Sequence, residues 1–218
     1  MPRPILYSFR RCPYAMRARL ALEAGEIDVE LREIIFRDKA PEFLATSPKG
    51  TVPVLVSSNH LLLGESLDII RWAMETSKAG ELLQPDAGGI DKAIALIERM
   101  DADFKPHLDK YKYASRYEDV DGIGSRSEGS KFIEELEGML AGQPYLYGHK
   151  RSVADIGVAP FVRQFAHVDQ DWFYGQDWKN VITWLDAFKA SPEFLRIMKK
   201  YPKWFAGDDV IIFPPKID

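Results

Sequence analysis

Ile5-Leu6-Tyr7-Ser8-Phe9-Arg10-Arg11-Cys12-Pro13-Tyr14-Ala15-Met16-Arg17-Ala18-Arg19-Leu20-Ala21-Leu22-Glu23-Ala24-Gly25 is the stretch from which the fold can be read. Ile5 to Phe9 is a short apolar run suited to a buried strand. Cys12 to Ala24 reads as a helix, with Pro13 at its first position, where the missing N–H leaves no gap in the bonding. Met16, Leu20 and Ala24 recur every fourth residue, as do Ala18 and Leu22, which makes a core-facing stripe. Gly25 stops the helix. Val29 to Ile35, with Val29 and Leu31 on either side of Glu30, reads as a second strand. A strand, a helix and a strand of these lengths form a βαβ unit, and its two strands run parallel.

Reading outward, Pro41 to Ala45 is a short helix. Val54-Leu55-Val56 and Leu61-Leu62-Leu63, separated by Ser57-Ser58-Asn59-His60, form a hairpin. Leu67, Ile69, Ile70, Trp72 and Ala73 mark a helix that begins near Glu65-Ser66. The order βαβαββα, parallel in its first half and antiparallel in its second, is a compact α/β arrangement. The expected organisation is an α/β domain over residues 1–77, a linker over 78–89 containing Gly80, Pro85, Gly88 and Gly89, and an all-helical domain over 90–218. In that second half Ile90, Ile94, Ile97 and Phe104 make one helical stripe, and Phe132, Leu136 and Leu140 make another. Ser152-Val153-Ala154-Asp155 resembles a capping box and opens a helix with Pro160 inside it as an expected kink. Helices over Val181–Ala190 and Pro192–Tyr201 follow, and Val210-Ile211-Ile212-Phe213 is the one further strand candidate.

Composition narrows the function. The 218 residues are 46% apolar and 28% charged, which is ordinary for a globular chain and unlike a disordered or coiled-coil one. Lysine and arginine (29) fall short of aspartate and glutamate (33), giving a net charge of −4 and no basic excess to coat a nucleic acid. No apolar run approaches the roughly 20 residues of a membrane helix, and the first residues carry no secretory signal pattern. The expectation is therefore no membrane and no nucleic-acid partner. One cysteine excludes an internal disulfide and a multi-cysteine zinc site, and the four histidines show no metal-ligand spacing; a reducing, cytoplasmic setting and no metal are expected.

That cysteine, Cys12, lies in a segment with no acidic residue before Glu23 but with Arg3, Arg10, Arg11, Arg17 and Arg19. A thiolate is stabilised at a helix N-terminus and by neighbouring cations. The plainer alternative makes Cys12 a small buried hydrophobe and the arginines a solvated helix face.

Phe9-Arg10-Arg11-Cys12-Pro13-Tyr14-Ala15-Met16-Arg17-Ala18-Arg19 resembles the first strand–helix junction of cysteine-type (omega-like) glutathione transferases and of glutaredoxins. Ser47-Pro48-Lys49-Gly50-Thr51-Val52-Pro53-Val54-Leu55, Gly64-Glu65-Ser66 and Ser152-Val153-Ala154-Asp155 match further motifs of that transferase family in order, so the resemblance spans essentially the whole chain. It implies a thioredoxin-like N-terminal domain that binds glutathione and an all-α C-terminal domain that helps enclose a second, small electrophilic or glutathionylated substrate. It also implies a homodimer. Cys12 would be the catalytic thiol. Pro53 would be a cis-proline that leaves the Val52 backbone facing glutathione's cysteinyl part. Ser66, as N-cap of its helix, and Glu65 would receive the γ-glutamyl end, a carboxylate at the cap and an ammonium at the acid. Lys39 resembles the basic residue for the glycyl carboxylate, with Ala40 standing between it and Pro41. Tyr14, Trp172 and Phe173 are candidates for the second-substrate site, and the Ser152…Asp155 box is expected to serve folding.

Ala15 stands where a dithiol protein has its second cysteine, so Cys12 has no resolving partner in the chain. That favours a Cys12–glutathione mixed disulfide resolved by a second glutathione. Tyr7 and Ser8 keep open a hydroxyl-assisted conjugation of glutathione to electrophiles. A scaffold that binds without catalysis is the third reading.

Overall fold

β1 (Ile5–Ser8) and β2 (Val29–Glu33) pair in parallel, with Ile5 opposite Glu30 and Ser8 opposite Glu33, and α1 (Pro13–Ala24) is the crossover between them. The computed structural model describes residues 2–114 and 121–215. β3 (Val54–Val56) adds antiparallel to β1, and β4 (Leu62–Leu63) antiparallel to β3. Between β2 and β3 lies α2 (Pro41–Thr46), and α3 (Ser66–Thr76) follows β4. The expected βαβαββα order is thus the order of the elements.

The sheet has a fifth strand. β5 (Ile212–Phe213) returns from the far end of the chain and pairs antiparallel with β2, giving the order β4-β3-β1-β2-β5. The apolar run at Val210–Phe213 was legible as a strand candidate, but its partner was not. Residues up to Leu83 and those from Ser191 onward form one compact unit, and Gln84–Ala190 form the other. The last segment, expected with the helical half, is thus counted with the first. It is drawn there because β2 would otherwise be an open edge whose backbone groups need partners. The stretch expected as a linker contains α4 (Ala79–Leu82), which packs on α1 and α3.

α1 is buried on nearly every side, Tyr14 and Glu23 being its exceptions. Arg17 and Arg19 are therefore inside the unit, and the reading of the basic run as a solvated face is corrected for these two, while Arg3 and Arg11 are exposed. The cause lies on β2. Inward positions alternate along a strand, and Val29, Leu31 and Glu33 are the buried set, so a carboxylate occupies the last inward position. Arg19 meets it: its guanidinium donates to Glu33 Oε2 and, at 2.8 and 2.9 Å, to Ser8 Oγ and the Ile197 carbonyl.

The second unit is helical: α5 (Gly89–Arg99), a π-helical turn (Met100–Phe104), α6 (Lys105–Lys112), α7 (Gly122–Met139), α8 (Val153–Ala166), α9 (Gln170–Tyr174) and α10 (Lys179–Ala190). α11 (Pro192–Ile197) already belongs to the first unit and packs on α1. Of the expected α5 stripe, Ile97 and Phe104 are buried and Ile90 and Ile94 half-buried at its edge, while Ala93, Leu96 and Met100 complete the buried face. α8 is the core helix and runs through Pro160. Gly157 lets α5 approach it, because a Cβ there would lie 2.4 Å from Ile97 Cδ1.

The start of α8 rests on Asp155. Its carboxylate accepts from Ser152 N and Ser152 Oγ (both 2.8 Å), Leu146 N (3.0 Å) and Trp184 Nε1 (2.9 Å). Burial pushes this carboxyl above the ordinary range, and the donors act against that rise. The Ser152…Asp155 motif therefore extends beyond the reciprocal cap to a loop amide and an indole on α10. Asp155→Ala leaves these donors buried without their acceptor, and the expected loss is about 3 kcal/mol or more of stability. Urea unfolding followed by tryptophan fluorescence measures it.

Candidate active site

Cys12 is the N-cap of α1, in extended backbone (φ −78°, ψ 123°), with Pro13 at the first helical position. Its amide donates to the Phe9 carbonyl at 3.0 Å, closing the turn Phe9-Arg10-Arg11-Cys12. The sulfur is half-buried and lies 3.6 Å from the Val52 carbonyl oxygen, the span of a weak S–H···O bond. Cys12 and Phe9 pack on a core of Tyr7, Ala15, Ile34, Ala40, Phe43, Val52, Val54 and Trp204. The thiol thus stands at the end of α1 where unbonded amides favour an anion.

The Val52–Pro53 peptide is cis, and both residues are buried. The loop before them turns at Gly50, whose φ of +62° suits glycine and whose amide donates to Ser47 O at 2.7 Å. Lys39 folds back over this loop: its Nζ lies 3.0 Å from where a Cβ on Gly50 would be, and 5.4 Å from the centroid of the Phe36 ring. The inserted Ala40 leaves Lys39 beside the loop that leads into Val52, and Pro41 opens α2.

Glu65 and Ser66 open α3, but their roles differ from expectation. The N-cap is Glu65; Ser66 is the first helical residue and is buried. The expected Ser66 cap is corrected, because the hydroxyl faces inward and accepts from Arg17 Nε at 2.9 Å. This bond ties α1 to the start of α3. Glu65 is exposed and meets Lys49 Nζ at 3.2 Å, a surface pair worth little to stability. Lys49 is a basic group at the site that the candidate residues did not include, although it sits within the quoted Ser47…Leu55 motif.

The arginines are mostly engaged by the fold. Arg17 lies over the Tyr14 ring at 4.9 Å, Arg11 over Phe9 at 5.2 Å, and Arg19 is bound to Glu33. The two hydroxyls near Cys12 are engaged as well. Ser8 Oγ accepts from Arg19, and Tyr7 OH, in a residue 2% exposed, accepts from Arg32 NH1 at 2.6 Å. Neither can present its hydroxyl to a ligand without leaving the core. Of the second-substrate candidates, Phe173 is enclosed in the aromatic core of the helical unit, edge-on to Phe165 and Trp178. Among the described residues, no cluster of three or more histidine, cysteine or acidic side chains could hold a metal, and no helix is long and apolar enough to cross a membrane.

Comparison with known proteins identifies two family domains in the chain. Residues 6–80 match the family model of the glutathione S-transferase N-terminal domain, and residues 124–206 that of the glutathione S-transferase C-terminal domain. The chain is 25% identical to the glutathione S-transferase stcT of Emericella nidulans over 99% of this chain and 100% of that one. It is 27% identical to the glutathione S-transferase omega-1 of Sus scrofa over 72% of this chain and 64% of that one. A crystal structure of a glutathione transferase from Burkholderia graminis, with two glutathione molecules bound per subunit, superimposes with a TM-score of 0.78 at 26% identity. That match covers 90% of this chain and 87% of the other.

Ser66→Ala removes the acceptor of a buried charged donor. The expected loss is roughly 1.5–3 kcal/mol, the range for hydrogen bonds to charged groups, read as a lower midpoint in urea unfolding.

Proposed function

Because the chain belongs to the glutathione S-transferase family, we propose that it is a cysteine-type member in which Cys12 forms a mixed disulfide with glutathione. One observation carries this reading: the chain's only cysteine caps α1 with its sulfur 3.6 Å from the Val52 carbonyl, next to the cis-Pro53, while Tyr7 and Ser8 are held inside by arginines. A thiol is then the nucleophile that the site offers, and the hydroxyl-assisted route loses its candidates.

Val52 presents its backbone to the cysteinyl part of glutathione. The exposed Glu65 receives the γ-glutamyl ammonium, and the amides at the start of α3 receive its carboxylate. Lys39 serves the glycyl carboxylate. Lys49, paired with Glu65, is placed to exchange that partner for a glutathione carboxylate. Ser66 contributes through Arg17, by fixing the start of α3 against α1.

In the first step the Cys12 thiolate attacks the glutathionyl sulfur of a substrate R–S–SG. The S–S bond breaks, a Cys12–S–SG bond forms, and R–S⁻ leaves and takes a proton from solvent. In the second, the thiolate of another glutathione attacks the glutathione sulfur of the mixed disulfide, forming oxidised glutathione and returning the Cys12 thiolate. Net, R–S–SG and glutathione give R–SH and oxidised glutathione. Ala15 removes the option of an internal disulfide, so the resolving thiol has to come from a second glutathione. Two glutathione molecules per subunit, as in the Burkholderia graminis protein, are what such a cycle requires. The omega-1 relative supports the cysteine-type assignment. A homodimer in a reducing, cytoplasmic setting, acting in detoxification on small substrates, completes the reading.

Intact-mass analysis after incubation with oxidised glutathione tests it. The expected product carries one glutathione, is reversed by excess reduced glutathione, and does not form in Cys12→Ala. Glutathione binding without an adduct, with conjugating activity retained in Cys12→Ala, would establish conventional conjugation instead. Loss of glutathione binding altogether would leave the scaffold reading.

A further inference from the structure

The turn that carries Cys12 is held from below by a residue that no motif singled out. Arg10 is the second residue of that turn, and its backbone amide donates to Glu33 Oε1 at 2.6 Å. The other oxygen of Glu33 accepts from Arg19, whose remaining donors reach Ser8 Oγ and the Ile197 carbonyl. The C-terminal segment closes on the same carboxylate's residue: Trp204 N donates to Glu33 O at 2.9 Å, and Arg10 NH1 reaches Met198 O at 3.5 Å. Glu33 itself is buried. The Tyr201 hydroxyl, buried without a hydrogen-bond partner among the described residues, is within electrostatic reach of Arg19 and Glu33.

We infer that Glu33 is a positioning residue for Cys12: through the Arg10 amide it fixes the Phe9–Cys12 turn, and so the seat of the sulfur at the N-terminus of α1. The inference rests on the reading of Cys12 as the nucleophile. Three facts support it beyond a structural role. The Arg10 amide lies inside the turn closed by the Cys12 amide, so its direction sets the path of the chain into the N-cap. A carboxylate is a stronger acceptor for this amide than a neutral group and holds it more narrowly. And Arg19 together with the C-terminal segment leaves Glu33 little freedom to follow the turn if it moves.

Arg10→Pro, read beside Glu33→Ala and the double variant, tests the amide. Among the described residues, positive φ outside glycine occurs at Glu26 and His60, so Arg10 and Arg11 have the negative φ of a turn that accepts proline at its second position. Phe9, directly after β1, lies where extended backbone, the preference before proline, is expected. Arg10→Pro deletes the N–H and the side chain and sets a ring carbon where the N–H met Glu33, a crowding that Glu33→Ala relieves in the double variant, whereas Arg10→Ala deletes the side chain alone. Arg11 over Phe9, Arg17 on Ser66 and Lys39 over Phe36 are untouched in both.

The readout is the rate of Cys12 alkylation by iodoacetamide across pH, which needs no glutathione. Relative to Arg10→Ala, the expected result for Arg10→Pro is a higher pH midpoint and alkylation at neutral pH slower by about threefold, as the sulfur leaves the amides that favour its thiolate. Glu33→Ala is expected to move the midpoint the same way, and the double variant no further than Glu33→Ala. An unchanged midpoint in folded Arg10→Pro overturns the inference; if Glu33→Ala does not fold, the Arg10 pair decides alone. The glutathione adduct on the unmodified protein is scored separately. A midpoint that moves while no adduct forms retains the positioning role and rejects the mixed-disulfide cycle.

Discussion

The Arg19–Glu33 ion pair is the constraint on which the first unit depends. Two charges removed from water cost several kcal/mol each unless every donor and lone pair finds a partner. Burial accordingly draws the Arg19 guanidinium below its ordinary value, and Glu33 counters it. The guanidinium has a fixed fork, so satisfying it fixes directions as well as energy. One arm holds the end of β1 at Ser8, another the end of β2 at Glu33, and a third the end of α11 at Ile197. Its face lies 5.6 Å from the Phe213 ring centroid, on β5. A single side chain on α1 thereby joins the βαβ unit to a segment nearly 180 residues further along.

The chemistry is built on top of that joint. β1 ends where the turn to Cys12 begins, β2 ends at the carboxylate beneath that turn, and α1 carries both the thiol at its start and Arg19 two turns later. Arg17, between them, binds the first residue of α3. The strand–turn–helix junction is thus tied to the scaffold by two cations that lie inside, Arg17 and Arg19. The helical unit solves its own polar problem in the same manner with opposite sign: a buried acid, Asp155, gathers donors from a loop, a cap and Trp184. In each unit one buried charged side chain converts a local signal into a tertiary tie.

Much of this was legible residue by residue. Pro13 after Cys12 marked the helix start, the period of Met16, Leu20 and Ala24 marked its inner face, and the Ser57–His60 turn marked the hairpin; each is an effect spanning a few residues. The candidate site was legible through its motifs, and Cys12 and Val52 do meet. What failed has a physical pattern. Arg17 and Arg19 looked like a solvated face because charge alone does not reveal that α1 is enclosed on nearly every side. Ser66 looked like a cap because serine favours caps, yet an inward hydroxyl beside Arg17 outweighed that preference. Glu33 offered the sequence no signal beyond its place in an alternating strand, and Lys49 was passed over inside a motif noted for its proline.

By itself the sequence determined the order of strands and helices in the first half, the placement of a lone thiol at a helix start, and the absence of a second thiol to resolve it. Those follow from propensity, period and count, which act over one or two turns of chain. Only the tertiary structure decided that the final strand completes the first sheet, that Tyr7 and Ser8 are closed off by arginines, and that the turn bearing Cys12 rests on Glu33. The reason is that a buried charge takes its partner from whatever packing brings within about 3 Å, and the partners of Arg19 lie 11, 14 and 178 residues away in sequence.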